Sequence, residues 1–218
     1  LKAGHMGGTV LKRYDERLRL AEIEPDAAQR ELAVRLDELQ SSLGGLARSN
    51  GILSKLFPGS KSPLPRGLYI HGAVGRGKTM LMDLFFEETT FQPKRRAHFH
   101  EFMADVHDRI AAARADVPGD PIPHVAAELS KEAKLLCFDE LHVTDIADAM
   151  ILGRLFQGLF AEGTIVVATS NTPPSGLYKD GLNRGLFVPF ISLLKQHMDV
   201  LPVDARTDFR LEKLVKGK

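Results

Sequence analysis

Residues Gly72-Ala73-Val74-Gly75-Arg76-Gly77-Lys78-Thr79 spell a complete phosphate-binding loop, G-x-x-x-x-G-K-[ST]. The apolar run Gly67-Leu68-Tyr69-Ile70 leads into it, and Met80-Leu81-Met82-Asp83-Leu84-Phe85-Phe86 leads out with helix-forming residues. Strand, glycine turn and helix in that order commit the chain to an α/β fold. Glycines allow successive backbone N–H groups to turn inward around phosphate oxygens, where a side chain would block the approach. The new helix adds its positive dipole end. Lys78 can reach the outer phosphates, and the Thr79 hydroxyl can ligate Mg²⁺. All eight loop residues are therefore expected to bind a nucleotide.

The rest of the chain alternates strand and helix signals. Residues 1–8, which include Gly4-His5-Met6, read as a tag or cloning junction outside the fold. Residues 9–56 read as a helical segment broken at Pro25, with Leu32, Leu36 and Leu39 at helical spacing and Gly44-Gly45 as its stop. Residues 57–66, rich in Pro, Gly and Ser, read as a linker into the core at 67–218. Strands are expected at Ala97–His100, Leu135–Phe138, Thr164–Ala168 and Asp199–Val203. Helices are expected at Met103–Ala115, Val125–Glu132, Ile146–Phe160 and, interrupted by Pro189, Leu182–Gln196. This alternation predicts a mainly parallel sheet covered on both faces.

Asp139 follows four apolar residues, Leu135-Leu136-Cys137-Phe138, so it emerges at the carboxyl edge of a buried strand. Open α/β sheets bind ligands at that edge. An Asp there can hold Mg²⁺ together with Thr79. The neighbouring Glu140 can polarise a water for attack on the γ-phosphate. A kinase would direct a substrate hydroxyl there instead. The next strand ends Ala168-Thr169-Ser170-Asn171, where the Asn171 amide either senses the γ-phosphate or belongs to a plain turn before Pro173-Pro174. Arg184 is either an arginine finger, supplied across a subunit boundary, or an exposed surface residue.

Composition narrows the partners. In 218 residues the formal charge is +1 and aromatics are 7%, so neither a global basic field nor a broad stacking groove for nucleic acid is implied. The clusters Lys94-Arg95-Arg96 and Arg206 to Lys218 read as solvated surface. The single cysteine, Cys137, lies in an apolar run and suits a reducing compartment. No stretch approaches the ~20 apolar residues of a membrane helix. His98 and His100, two apart on the expected strand, share a face but have no third metal ligand. Phe102 and Met103 are either buried helix-start residues or pore-lining residues that grip polypeptide.

Several stretches together resemble the ZapE family of AAA+ ATPases, with bacterial cell-division members and mitochondrial relatives. They are Gly67–Gly72 with Lys78–Phe85, His98-Phe99-His100-Glu101-Phe102-Met103, Cys137-Phe138-Asp139-Glu140, Val143-Thr144-Asp145-Ile146-Ala147-Asp148-Ala149-Met150, Ala168–Asn171 and Leu177–Arg184. The match runs from about Tyr14 to Leu214; Leu141 stands where relatives usually carry Phe. The resemblance implies an AAA+ core with a five-stranded parallel sheet of order 5-1-4-3-2, and assembly into homo-oligomers. It also implies Asn171 as first sensor and Arg184 as a finger on the neighbour's nucleotide. The implied activity is ATP hydrolysis, with ATP and Mg²⁺ as ligands and a protein partner, tied to the division machinery, as what is remodelled. The implied location is cytoplasmic, peripheral at the inner membrane face, or mitochondrial in the relatives. A C-terminal lid with a second sensor arginine is part of the family pattern. The chain ends soon after the last core strand, so the lid is read as absent, and neither Arg206 nor Arg210 is assigned that role. The alternatives are a nucleic-acid-remodelling ATPase and a small-molecule kinase, for which no acceptor pocket or basic lid is legible.

Overall fold

The computed structural model describes residues 8–56, 63–116 and 118–204. Residues 1–7, most of the 57–66 linker and the basic stretch from Arg206 lie outside them. Five strands form one parallel sheet: β1 (Gly67–His71), β2 (Lys94–His98), β3 (Leu135–Asp139), β4 (Ile165–Ser170) and β5 (Met198–Pro202). Their order is β2-β3-β4-β1-β5, the 5-1-4-3-2 arrangement expected. Neighbouring registers, such as Ile70 opposite Thr169 and His98 opposite Asp139, bring the carboxyl ends of β1, β3 and β4 to one edge.

Seven α-helices and a short 3-10 turn at Pro174–Gly176 complete the described chain; the α-helices are α1 (Thr9–Arg19), α2 (Ala27–Leu56), α3 (Lys78–Glu88), α4 (Phe99–Asp116), α5 (Ile122–Glu132), α6 (Ile146–Ala161) and α7 (Arg184–His197). Strand alternation splits the core into two layers. Leu68, Ile70, Cys137 and Val167 face α1, α2 and α3, whereas Tyr69, Phe138, Val166 and Ala168 face α4 to α7. Aromatic contacts tie the second layer together, with Phe138 against Phe99, Phe102 and Phe156 at 5.6, 4.6 and 6.0 Å between centroids.

Four local expectations change. The glycine pair 44–45 does not stop α2. Leu43 and Leu46 continue the buried stripe begun by Leu32, Leu36 and Leu39, and that packing outweighs the roughly 1 kcal/mol helix cost of each glycine. Strand β2 starts at Lys94 rather than Ala97, so Lys94-Arg95-Arg96 is not a solvated cluster. As an edge strand it tolerates charge, and each charge has a partner: Lys94 donates to the Thr89 carbonyl, Arg95 pairs with Asp105, and Arg96 with Asp83. Helix α4 starts at Phe99, so His98 ends a strand while His100 belongs to a helix. Pro189 lies inside one continuous α7, where it removes the bond an N–H would have made to the Gly185 carbonyl without ending the helix.

Candidate nucleotide site

The loop between β1 and α3 takes the form that its glycines demand. Gly75 and Gly77 have φ of +79° and +78°, a region unfavourable to other residues. Gly77 is also the N-cap of α3. At Gly72 a Cβ would come within 2.4 Å of the Val203 carbonyl. Ala73 and Val74 are exposed, so their backbone rather than their side chains serves the loop. The Lys78 ammonium is folded back onto the loop, donating to the carbonyls of Gly72 and Ala73 at 2.8 Å each. Asn171 Oδ1 stands 3.5 Å from it, at the limit of a hydrogen bond. Burial lowers the lysine pKa, against the opposing pull of Asp139.

Asp139 is the most heavily bonded acid at this edge. The hydroxyls of Thr79 and Thr169 donate to its Oδ1 at 2.7 and 3.0 Å. Arg96 Nη2 lies 3.3 Å and His98 Nδ1 3.4 Å from Oδ2. Burial pushes the carboxyl upward, but the two hydroxyls and the neighbouring Arg96 and His98 outweigh it and hold the pKa below the usual carboxylate value. A hydroxyl touching an ionised carboxylate is a hard oxygen pair, the chemistry Mg²⁺ takes when phosphates and water complete its shell. Among the described residues no cluster of three or more His, Cys, Asp or Glu could hold a metal alone. Thus His98 and His100, whose rings stack at 6.0 Å, gain no third ligand.

Glu140 turns out of β3 with φ of +56°. Its N–H donates to the Thr169 hydroxyl at 3.1 Å, and the Leu141 N–H to the Thr169 carbonyl at 2.7 Å. These bonds hold a left-handed residue that costs on the order of 1–2 kcal/mol, and the Glu140 side chain is exposed. A cavity of about 200 Å³ joins these parts, lined by Val74 to Met80, Glu140 and Thr169 to Asn171. Arg184 does not line it. Its Nη2 donates to the carbonyls of Ser175 and Leu177 at 2.7 and 3.3 Å, beside the N-terminus of α7. Phe102 and Met103 are buried against β3, so the pore reading falls and the core reading stands.

Three contributors escape the sequence reading. Thr169 bonds both acids' neighbourhoods at once. Gln29, from α2, donates to the Arg76 carbonyl at 3.2 Å. With Ile23, Glu24, Asp26 and Met80 it lines a second cavity of about 650 Å³ against the outer side of the loop. Arg96 and Asp83 form an ion pair beside Asp139. One signal was available: Asp83 follows Thr79 by four residues, one helical turn on the same face.

The parallel sheet order, the glycine loop and the Asp-Glu edge define a P-loop nucleotide-binding core with the AAA+ fold. Solved structures support the fold. AMPPCP-bound DnaA from Aquifex aeolicus superposes with a TM-score of 0.52 at 15% identity, over 90% of this chain and 54% of that one. DnaI superposes with 0.54 at 16% identity, over 88% and 91%. The AFG1-like ATPase profile matches residues 8–218, and the chain belongs to that family. It is 41% identical to the cell division protein ZapE of Escherichia coli K12 over 219 residues, 96% of this chain and 58% of that protein. To lactation elevated protein 1 homolog B of Danio rerio it is 50% identical over 164 residues, 71% of this chain and 33% of that one. The chain therefore spans little more than half the length of the curated ZapE relative.

Proposed function

We propose that the protein hydrolyses ATP and couples the cycle to remodelling of a protein partner, in cell division as the ZapE name suggests. The observation that carries the hydrolytic reading is the contact of Thr79 with Asp139 at 2.7 Å, directly behind a cavity bordered by Lys78, Glu140 and Asn171. Triphosphate is assigned to the loop from Gly72 to Thr79, and the base to the adjoining cavity between Ile23, Gln29 and Met80. Thr79 and Asp139 would hold Mg²⁺, which when bound offsets phosphate charge. Lys78 turns its ammonium from the loop carbonyls to the phosphates. Glu140 orients and polarises the attacking water, and Asn171 contacts it or the γ-phosphate. Arg184 serves a neighbouring copy. By likeness to the bacterial ZapE relatives the assigned location is cytoplasmic, with peripheral attachment at the inner membrane face, or the mitochondrion for relatives there. No helix among the described residues is long and apolar enough to cross a membrane.

Glu140→Gln tests the central role. The variant keeps the shape and loses the base, so ATP affinity should stay within about twofold while turnover falls by ~10²–10⁴. Affinity measured by calorimetry and phosphate release measured in parallel decide it; hydrolysis near the wild-type rate removes Glu140 from the chemistry. Adding polypeptide, single-stranded DNA or small hydroxyl acceptors to the same assay separates protein remodelling from nucleic-acid work and kinase transfer.

A further inference from the structure

Arg96 divides its guanidinium unequally between two acids. Nε and Nη2 are forked over Asp83 at 2.8 and 3.3 Å. Only Nη2 reaches Asp139, at 3.3 Å. The geometry is dictated by periodicity: Arg96 and His98 alternate onto the β2 face that carries Asp139 across the register, and Asp83 lies one helical turn beyond Thr79 on α3. The two acids differ in solvation, since the Asp139 side chain is 6% exposed and that of Asp83 38%. Attraction to the better buried carboxylate is screened less. A guanidinium released from Asp83 would close on Asp139 with its full fork, and a fork seated there opposes a divalent cation at the same oxygens.

We propose that Asp83 and Arg96 form a clasp that sets the divalent-cation affinity of the nucleotide site, with Asp83 holding the guanidinium away from full engagement of Asp139. The inference rests on Thr79 and Asp139 being the metal pair. Asp83 and Arg96 are positioning residues and neither lines the phosphate cavity.

Fluorescence of N-methylanthraniloyl-ADP reads nucleotide binding directly, titrated with Mg²⁺ and separately in EDTA. Asp83→Asn should raise the Mg²⁺ concentration at half-maximal binding about tenfold, with affinity in EDTA unchanged. Arg96→Gln removes the competitor and should lower that concentration several-fold. The double variant should match Arg96→Gln, because without the guanidinium Asp83 has nothing to restrain. A Mg²⁺ midpoint unmoved by Asp83→Asn overturns the clasp, as does a double variant that retains the Asp83→Asn shift. Should Asp83→Asn not fold, Arg96→Gln decides alone, and an unchanged or raised midpoint overturns the proposal. A wild type whose nucleotide binding ignores Mg²⁺ would instead sink the Thr79–Asp139 metal pair.

Discussion

At the scale of single residues, Lys78 shows how a binding site is kept ready. Its ammonium is buried, which lowers its pKa, yet it donates to two loop carbonyls at 2.8 Å. Those carbonyls substitute for phosphate oxygens, so binding exchanges one set of acceptors for another instead of desolvating a charge anew. Lys78→Ala removes the only ammonium that lines the cavity among the described residues and should weaken ATP binding by at least ~10²-fold, about 2.7 kcal/mol. An ATP titration in which this variant retains wild-type affinity would show that the loop is not the phosphate site. The loop was legible in the sequence because its chemistry is local: glycine conformations, one lysine and one hydroxyl within eight residues. Asp139 was legible because an apolar run ending in an acid marks a strand edge. Thr169, Arg96 and Gln29 were not, since each meets the site from a different element and only the sheet register or helix packing brings them there.

Elements show the same division between local and assembled signals. Helix α1 has Gly8 as its N-cap, a residue with no side chain to satisfy the first N–H groups. The missing acceptors come from α2: Asp37 accepts from the Gly8 and Leu11 N–H groups at 2.7 and 2.9 Å. Gln40 accepts from those of Thr9 and Val10 at 2.9 and 3.3 Å. Asp37 is 6% exposed, an acid on the otherwise apolar face of α2. Its position looks like a flaw in the Leu32-Leu36-Leu39 stripe until α1 is in place, which is why helical spacing could locate the helix but not its partner. The start of β2 was missed by a related route: a strand was expected only from Ala97, because three successive basic residues suppress a strand assignment that their acidic partners justify. Asp37→Ala should leave the half-buried N–H groups of Gly8 and Leu11 without their acceptor and cost about 2 kcal/mol. In a thermal melt this appears as a fall of roughly 4–8 °C for a domain of this size. A melt indistinguishable from wild type would mean that solvent already satisfies that helix end.

For the whole molecule, the strand order decides which residues meet at the site. The sheet reverses direction of growth beside β1, with β4 on one side and β5 on the other, and such switch points open the crevice in which ligands bind. That crevice receives Lys78, Asn171 and Glu140 from this chain, but Arg184 faces the loop at Ser175 and Leu177 instead. Its Nε is buried without a hydrogen-bond partner, so the guanidinium is not fully engaged where it lies. Around it Leu182 and Leu186 are 69% and 71% exposed, with Val188 nearby, so three large apolar side chains meet solvent within seven residues. The proposed finger on another copy's nucleotide would draw on both features: the guanidinium would leave the Ser175 and Leu177 carbonyls, and the leucines would be covered where copies meet. On that reading Arg184→Ala should leave ATP affinity unchanged and lower turnover by ~10³-fold or more in the assembled full-length protein. Wild-type turnover per molecule should fall as the protein is diluted through its assembly range, followed by light scattering on the same samples, until it approaches the Arg184→Ala rate. Constant turnover from assembled to monomeric protein would place the catalytic charge within one chain, and Arg184 would then be only the residue that pins the Ser175–Leu177 loop.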